Sequence, residues 1–339
     1  MARTRVAVIM GGRSSEHDIS VASARSVVDA LDPQRYDVRA VEIGQDGRWQ
    51  LEAGAAQAQI GQGGENLPVP ADGSPSPFDG VDVVFPVLHG PFGEDGTVQG
   101  FLELADVAYV GAGVTASALC MDKELFKAVM RDKGVPVVDS VTVLDRHRDR
   151  VENPFGFPVV VKPARLGSSV GISIVKEPEE LAEAVDLALE HDEKILLEEY
   201  IAGVEVECSV LGNEEPIASI PGEIVPLASD WYDFSAKYDE GGMELVIPPR
   251  LDERTIARVQ ELAVAAFVAS DCEGMARVDF FVRENGEAVV NALNTIPGFT
   301  ATSVYAKLFE ASGVPYAELL DRLVELALER RDRRARLKY

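Results

Sequence analysis

Arg5-Val6-Ala7-Val8-Ile9-Met10-Gly11-Gly12 is an apolar run that stops at two glycines. It has the length of a short buried strand, running from Arg5 to Met10. A polar stretch follows, then a helical pattern from Ser20 to Leu31 and a second strand from Tyr36 to Ile43. Strand, turn, helix and strand make a βαβ unit, and the ligand crevice of such a unit lies beyond the C-terminal strand ends. The glycines do not form a GxGxxG, so the dinucleotide signal is weak. An α/β class with a parallel N-terminal sheet is expected.

Val81 to Leu88 is a second nearly all-apolar run. It ends in His89-Gly90-Pro91-Phe92-Gly93-Glu94-Asp95-Gly96, with a helix from about Thr97. That strand end aims at the same crevice, so His89 is placed at the ligand. Residues 52–80, rich in Gly, Ala, Gln, Pro and Ser, read as a surface loop. One helix is expected from Thr115 to Lys133, stopped by Gly134-Val135-Pro136. Strands are then expected at Pro158–Lys162, Ile172–Val175, Ile195–Tyr200 and Val204–Leu211, and a helix at Pro178–Glu190. The last third shows an exposed-looking loop over 229–242 and a helix from Arg254 to Ala269. Strands Met275–Val282 and Ala288–Leu293 and two closing helices complete it, with a basic tail from Arg330 to Lys338. That tail reads as a helix end where cations favour the dipole.

Composition narrows the function. The 339 residues carry 57 acidic and 32 basic side chains, a net charge of −25. Such an acidic chain is a poor general partner for nucleic acid, which calls for clustered Lys and Arg. It can still hold a small anion with a few placed cations. No apolar stretch approaches a membrane span, and the N-terminal run is too short for a signal-peptide core. Cys120, Cys208 and Cys272 form no CxxC and read as small core residues, in keeping with a cytoplasmic protein.

Three clusters carry chemistry. Gly167-Ser168-Ser169-Val170-Gly171 joins two strands, and its N–H groups and hydroxyls suit a phosphate, or merely a hairpin turn. Lys162 closes an apolar Val-Val-Val run and needs an anionic partner. Leu196-Leu197-Glu198-Glu199-Tyr200-Ile201 reads as a strand into a bend, where backbone and carboxylate groups can hold an adenine, or as an ordinary strand. Arg277-Val278-Asp279 and Asn291-Ala292-Leu293-Asn294 fall on paired strands, so Asp279 and Asn294 can share a face. A carboxylate and an amide oxygen suit Mg²⁺ with bound phosphates, and a surface salt bridge is the plainer alternative.

Several blocks now stand in order along nearly the whole chain. They are Val8 to Ser20, His89 to Gly96, Met121-Asp122-Lys123, Lys162 to Gly171, Trp231 to Tyr238 and Asn294 to Thr300. Together they resemble the D-alanine–D-alanine ligases. The resemblance implies an α/β three-domain ATP-grasp fold with a Rossmann-like N-terminal domain, divided at 1–111, 112–197 and 198–339. It implies ATP and Mg²⁺ (or Mn²⁺) as cofactors, two D-alanine substrates, an acyl phosphate intermediate and a homodimer. It gives Glu16 the first substrate's ammonium, with His89 nearby, and links Ser168 and Tyr238 to Glu16 for proton removal. Arg277 and the Gly298 backbone would stabilise the oxyanion, while Lys237 and Ser303 would hold the second carboxylate. Lys123, Lys162 and Ser169 would bind ATP phosphates, Glu198, Ile201 and Glu205 adenine and ribose, and Asp279 and Asn294 the metal. The loop over 229–242 matches a lid that excludes water.

The chain also departs from the family pattern. Ala292 stands where the family has the Glu that bridges two Mg²⁺ ions. Phe234, Ser235 and Ala306 replace the usual Tyr, Glu and Pro. Ala292 leaves room for a catalytically silent nucleotide binder. Another acceptor is a third reading, but the intact Lys237-Tyr238 pair favours an amine acceptor.

Overall fold

The computed structural model describes residues 2–51, 78–227 and 242–338. Three sheets follow one another along the chain. The first has order β3-β2-β1-β4-β5, from β1 (Thr4–Gly11), β2 (Tyr36–Ile43), β3 (Trp49–Leu51), β4 (Val83–Pro86) and β5 (Ala108–Tyr109). Its β2-β1-β4-β5 portion is parallel and β3 pairs antiparallel to β2. Ala7, Val8 and Ile9 are fully buried, because parallel strands are covered on both faces.

Helix α1 (His17–Ala30) covers one face through Ser20, Ser23, Ala24 and Val27, an i, i+3, i+4, i+7 stripe. Its Ser20 hydroxyl accepts from Gly11 N at 2.7 Å and donates to Val87 O, tying the ends of β1 and β4 together. Gly11 needs its glycine: φ is +87°, and a Cβ would sit 2.3 Å from Ile43 O. Helix α2 (Thr97–Leu104) follows the His89–Gly96 turn.

The single helix expected over 115–133 is two, α3 (Val114–Met121) and α4 (Lys123–Asp132). Asp122 leaves helical geometry at ψ 96° and caps α4 by accepting from Leu125 N. No Gly or Pro marks this break; the acceptor side chain makes it.

The second sheet is antiparallel, in the order β6-β9-β7-β8, from β6 (Ser140–Leu144), β7 (Val159–Pro163), β8 (Ser173–Val175) and β9 (Lys194–Glu199). Helix α5 (Leu181–Leu189) packs on it through Ala184, Val185 and Ala188, with a short 3₁₀ turn at Pro178–Glu180 before it. The third sheet is also antiparallel. It comprises β10 (Gly203–Gly212), β11 (Ile217–Ala218), β12 (Gly222–Pro226), β13 (Met243–Val246), β14 (Gly274–Arg283) and β15 (Ala288–Asn294). Its order is β13-β12-β10-β14-β15, with β11 on β10. Helices α6 (Glu253–Ala269), α7 (Val304–Ala311) and α8 (Tyr316–Arg334) complete the chain.

The basic tail is more than a helix end. Arg330 is buried on α8 and donates to Gly111 O and Tyr109 O, with its guanidinium 4.3 Å from the Tyr109 ring centre. It anchors the last helix to the first sheet. All three cysteines are buried, as expected of core residues. No helix among the described residues is long and apolar enough to cross a membrane.

Candidate active site

A cleft of about 400 Å³ lies between the second and third sheets. Its apolar walls include Ile172 and Ile174 on one side and Phe281 and Leu293 on the other. Apolar side chains from two sheets suit the faces of a planar ring. Glu198, Ile201, Glu205, Lys123, Lys162, Ser168 and Ser169 line the same cleft.

The cations are held by strand and helix geometry. Lys123 opens α4 and donates from Nζ to Leu166 O at 2.6 Å, at the base of the Gly/Ser loop. Lys162, on β7, lies 2.7 Å from Glu198 Oε2 and donates to Asn291 Oδ1 at 3.1 Å. Lys127, one helical turn beyond Lys123, is fully buried and pairs with the other oxygen of Glu198. Burial pushes the Lys127 ammonium down to about 8, against the pull of Glu198. Burial works to raise the Glu198 carboxyl, but Lys127 and Lys162 outweigh it and hold it below its ordinary value.

The Gly/Ser loop is bent unusually. Ser168 and Ser169 both have positive φ, 53° and 59°, a left-handed conformation that side chains disfavour. Successive N–H groups in such a turn can face an anion. The loop also reaches the start of α1, because Ser168 Oγ donates to Glu16 Oε1. Glu16 precedes α1 and is only 5% exposed, while Ser168 lines the cleft, so the bond is part-buried.

Around Glu16 sits a polar nest. Ser14 Oγ donates to His89 O at 2.7 Å, and His89 Nδ1 lies 3.0 Å from Ile296 O. Burial lowers the His89 pKa, so the ring is neutral near pH 7. Its Nε2 has no hydrogen-bond partner among the described residues. Glu94 accepts from Gly90 N at 2.6 Å. Burial, then the Glu16 charge, pushes its carboxyl up to about 8. Gly90 has φ +73°, and a Cβ there would stand 2.8 Å from Glu16 Oε2.

The third cluster lies on β14 and β15. Arg277 donates to both oxygens of Asp279, at 2.7 and 2.9 Å, and lies 3.1 Å from Glu207. The expectation that Asp279 and Asn294 share a face is met, since both line the cleft. Their register differs from a direct pair. A bulge beside Phe280 sets Ala292 opposite Asp279 and Asn294 opposite Arg277. Gly298 and Ser303 fall beyond the cleft lining, where Ser303 Oγ accepts from Thr300 N at 2.9 Å. A Cβ on Gly298 would lie 3.4 Å from Ser303 Oγ, so the two are neighbours. Lys237 and Tyr238, with Phe234, Ser235 and most of the expected lid, fall outside the described residues. Ala306 is a buried position of α7.

Sequence reasoning missed Lys127, Glu207 and the role of Glu94. Lys127 was readable: it falls between Phe126 and Met130, both fully buried, on a short amphipathic helix. Glu207 follows the same alternation along β10 as Glu205, so it shares the cleft-side face.

The comparisons with known proteins agree with this geometry. A family profile for the D-ala D-ala ligase N-terminus matches residues 5–112, and one for the D-ala D-ala ligase C-terminus matches residues 129–325. The chain belongs to the D-alanine–D-alanine ligase family. A D-alanine–D-alanine ligase of Chloroherpeton thalassium is 45% identical, covering 97% of this chain and 98% of that one. One from Solibacter usitatus is 46% identical, covering 97% and 96%. The solved D-alanine–D-alanine ligase of Coxiella burnetii superposes with TM-score 0.83 at 38% identity, covering 99% of this chain and 97% of that one. The VanG D-Ala:D-Ser ligase of Enterococcus faecalis gives the same TM-score at 35% identity, covering 96% of this chain and 100% of its own. The fold is accordingly the mixed α/β ATP-grasp fold.

The residues present fit a nucleotide: apolar walls, two lysines and a tightly turned Gly/Ser loop. They fit one divalent cation, at Asp279 and Asn294. They do not fit a second, because Ala292 offers no donor atom.

Proposed function

We propose that this protein joins two D-alanine molecules to D-alanyl-D-alanine, with ATP converted to ADP and phosphate. The observation that carries the reading is the Glu16–Ser168 hydrogen bond. It brings a carboxylate suited to an amino-acid ammonium against a loop suited to phosphate. An amino-acid carboxylate and a γ-phosphate would thus meet at one point.

The steps follow from that meeting. The first D-alanine sits with its ammonium at Glu16 and His89. Its carboxylate oxygen attacks the γ-phosphorus of ATP, whose phosphates rest on Lys123, Lys162 and Ser169 and whose base and ribose lie at Glu198, Ile201 and Glu205. The β–γ bond breaks, and ADP leaves an acyl phosphate. A bound Mg²⁺ or Mn²⁺ at Asp279 and Asn294 would neutralise phosphate charge. The second D-alanine, its carboxylate on Lys237 and Ser303, loses an ammonium proton through the Glu16–Ser168–Tyr238 network. Its amine attacks the acyl carbon. Arg277 and the Gly298 N–H stabilise the oxyanion, and phosphate departs with one former carboxylate oxygen.

The product is a precursor for peptidoglycan, and we place the protein in the cytoplasm as a homodimer that acts on small molecules, away from nucleic acid and membrane. Units at 1–111, 112–197 and 198–339 fit the three sheets best with the last boundary moved past Glu199, since β9 ends there. The test is phosphate release from ATP with D-alanine, L-alanine, D-lactate or D-serine as added substrate. Release that depends on D-alanine alone supports the reading. Equal release with all four refutes it, and ATP binding without any release points to a silent binder.

A further inference from the structure

Three strands carry a row of residues across the floor of the cleft. Glu207 on β10 faces Asp279 on β14, and Asp279 faces Ala292 on β15. Asp279 and Ala292 line the cleft, and Glu207 lies fully buried on the same side of the sheet. Arg277 reaches both carboxylates, its Nε 3.1 Å from Glu207 and 2.7 Å from Asp279. Among the described residues of this row, two carboxylates and one guanidinium leave a single net negative charge. A Glu at 292 would make that two.

Charge and donors therefore agree. A dication at the phosphate end needs an anionic protein oxygen, and the polyphosphate supplies the remainder of its shell. Asp279 is the one carboxylate of the row that lines the cleft, and both its oxygens already accept from Arg277. Asn294 adds a neutral amide oxygen, which also accepts from Ile296 N at 3.1 Å. The methyl group of Ala292 adds nothing. No cluster of three or more His, Cys, Asp or Glu fit for a metal occurs among the described residues.

We propose that the phosphate end of this cleft takes one divalent cation with its nucleotide, where the family resemblance implies two, and that Ala292 sets the count. The proposal rests on the cleft holding ATP. It does not rest on the identity of the acceptor.

The experiment counts Mn²⁺ by electron paramagnetic resonance on the full chain, with saturating adenylyl imidodiphosphate and no amino acid. One bound Mn²⁺ per chain is expected, with no Mn–Mn dipolar broadening. The Ala292→Glu variant should bind two, and the broadening should appear. Two ions in the unaltered chain, or none, overturns the proposal. One ion in both proteins overturns the role of Ala292. A variant that fails to fold leaves the count on the unaltered chain to decide. Failure of the ligase reading would look different: a single Mn²⁺ with nucleotide, but no release of phosphate on adding D-alanine.

Discussion

The Glu16–Ser168 bond can be tested by a double-mutant cycle. Ser168→Ala removes the donor hydroxyl, and Glu16→Gln removes the charge. The bond joins a carboxylate that is 5% exposed to a hydroxyl held on a bent loop. A hydrogen bond to a charged group contributes about 1.5–3 kcal/mol. Ser168→Ala should therefore lower kcat/KM for D-alanine by about 2 kcal/mol, roughly 30-fold. Glu16→Gln should cost more, about 3–4 kcal/mol, because it also removes the partner proposed for the substrate ammonium. The two losses should not add. Gln at position 16 keeps an acceptor oxygen but loses the charge, so the bond from Ser168 weakens there and a coupling of about 1 kcal/mol is expected. The assay is D-alanine-dependent phosphate release, with ADP affinity measured beside it to separate the loop's phosphate role. Additivity to within about 0.5 kcal/mol would refute the linkage between the two halves of the site.

Further outcomes follow from the same contacts. Gly90→Ala puts a Cβ 2.8 Å from Glu16 Oε2 at φ +73°, so it should lower stability by about 1–3 kcal/mol and raise KM for D-alanine; an unchanged KM would show that Glu16 moves freely. Arg330→Met strips donors from two carbonyls and the cation from the Tyr109 face, and should cost about 3 kcal/mol in urea unfolding; a loss below about 1 kcal/mol contradicts an anchoring role. Glu94 has a folded pKa of about 8 against an ordinary 4.5. The folded state therefore holds a proton the unfolded chain releases, and this contribution to stability is full below about 4.5 and lost as pH rises through about 8. The urea midpoint should fall between pH 5.5 and 8.5 less steeply in Glu94→Gln than in the unaltered chain; equal falls would contradict a buried neutral carboxyl.

Much of this was legible in the residues. The βαβ start follows from an apolar run buried on both faces, and the Lys162 strand and the β14–β15 pair from apolar or alternating runs of strand length. What escaped notice was local or long-range. The break at Asp122 depends on one capping side chain, which spacing alone does not reveal. Strand β6 has exposed and half-buried residues over most of its length, so its apolar signal is faint. Arg330 reads as a solvated tail until the first sheet comes against it. Glu207 gains meaning only when register sets it beside Asp279. Each of these depends on contacts distant in sequence or on a single hydrogen bond.

The central claim is that a D-alanine carboxylate becomes an acyl phosphate before the amine attacks. Its most direct test uses D-alanine labelled with ¹⁸O in both carboxyl oxygens, incubated with unlabelled ATP and Mg²⁺. Each attack carries one carboxylate oxygen onto the γ-phosphorus, and the later departure takes that oxygen away with the phosphate. The account predicts one ¹⁸O in each phosphate released, read by the isotope shift in its ³¹P resonance. Phosphate released without label would contradict it.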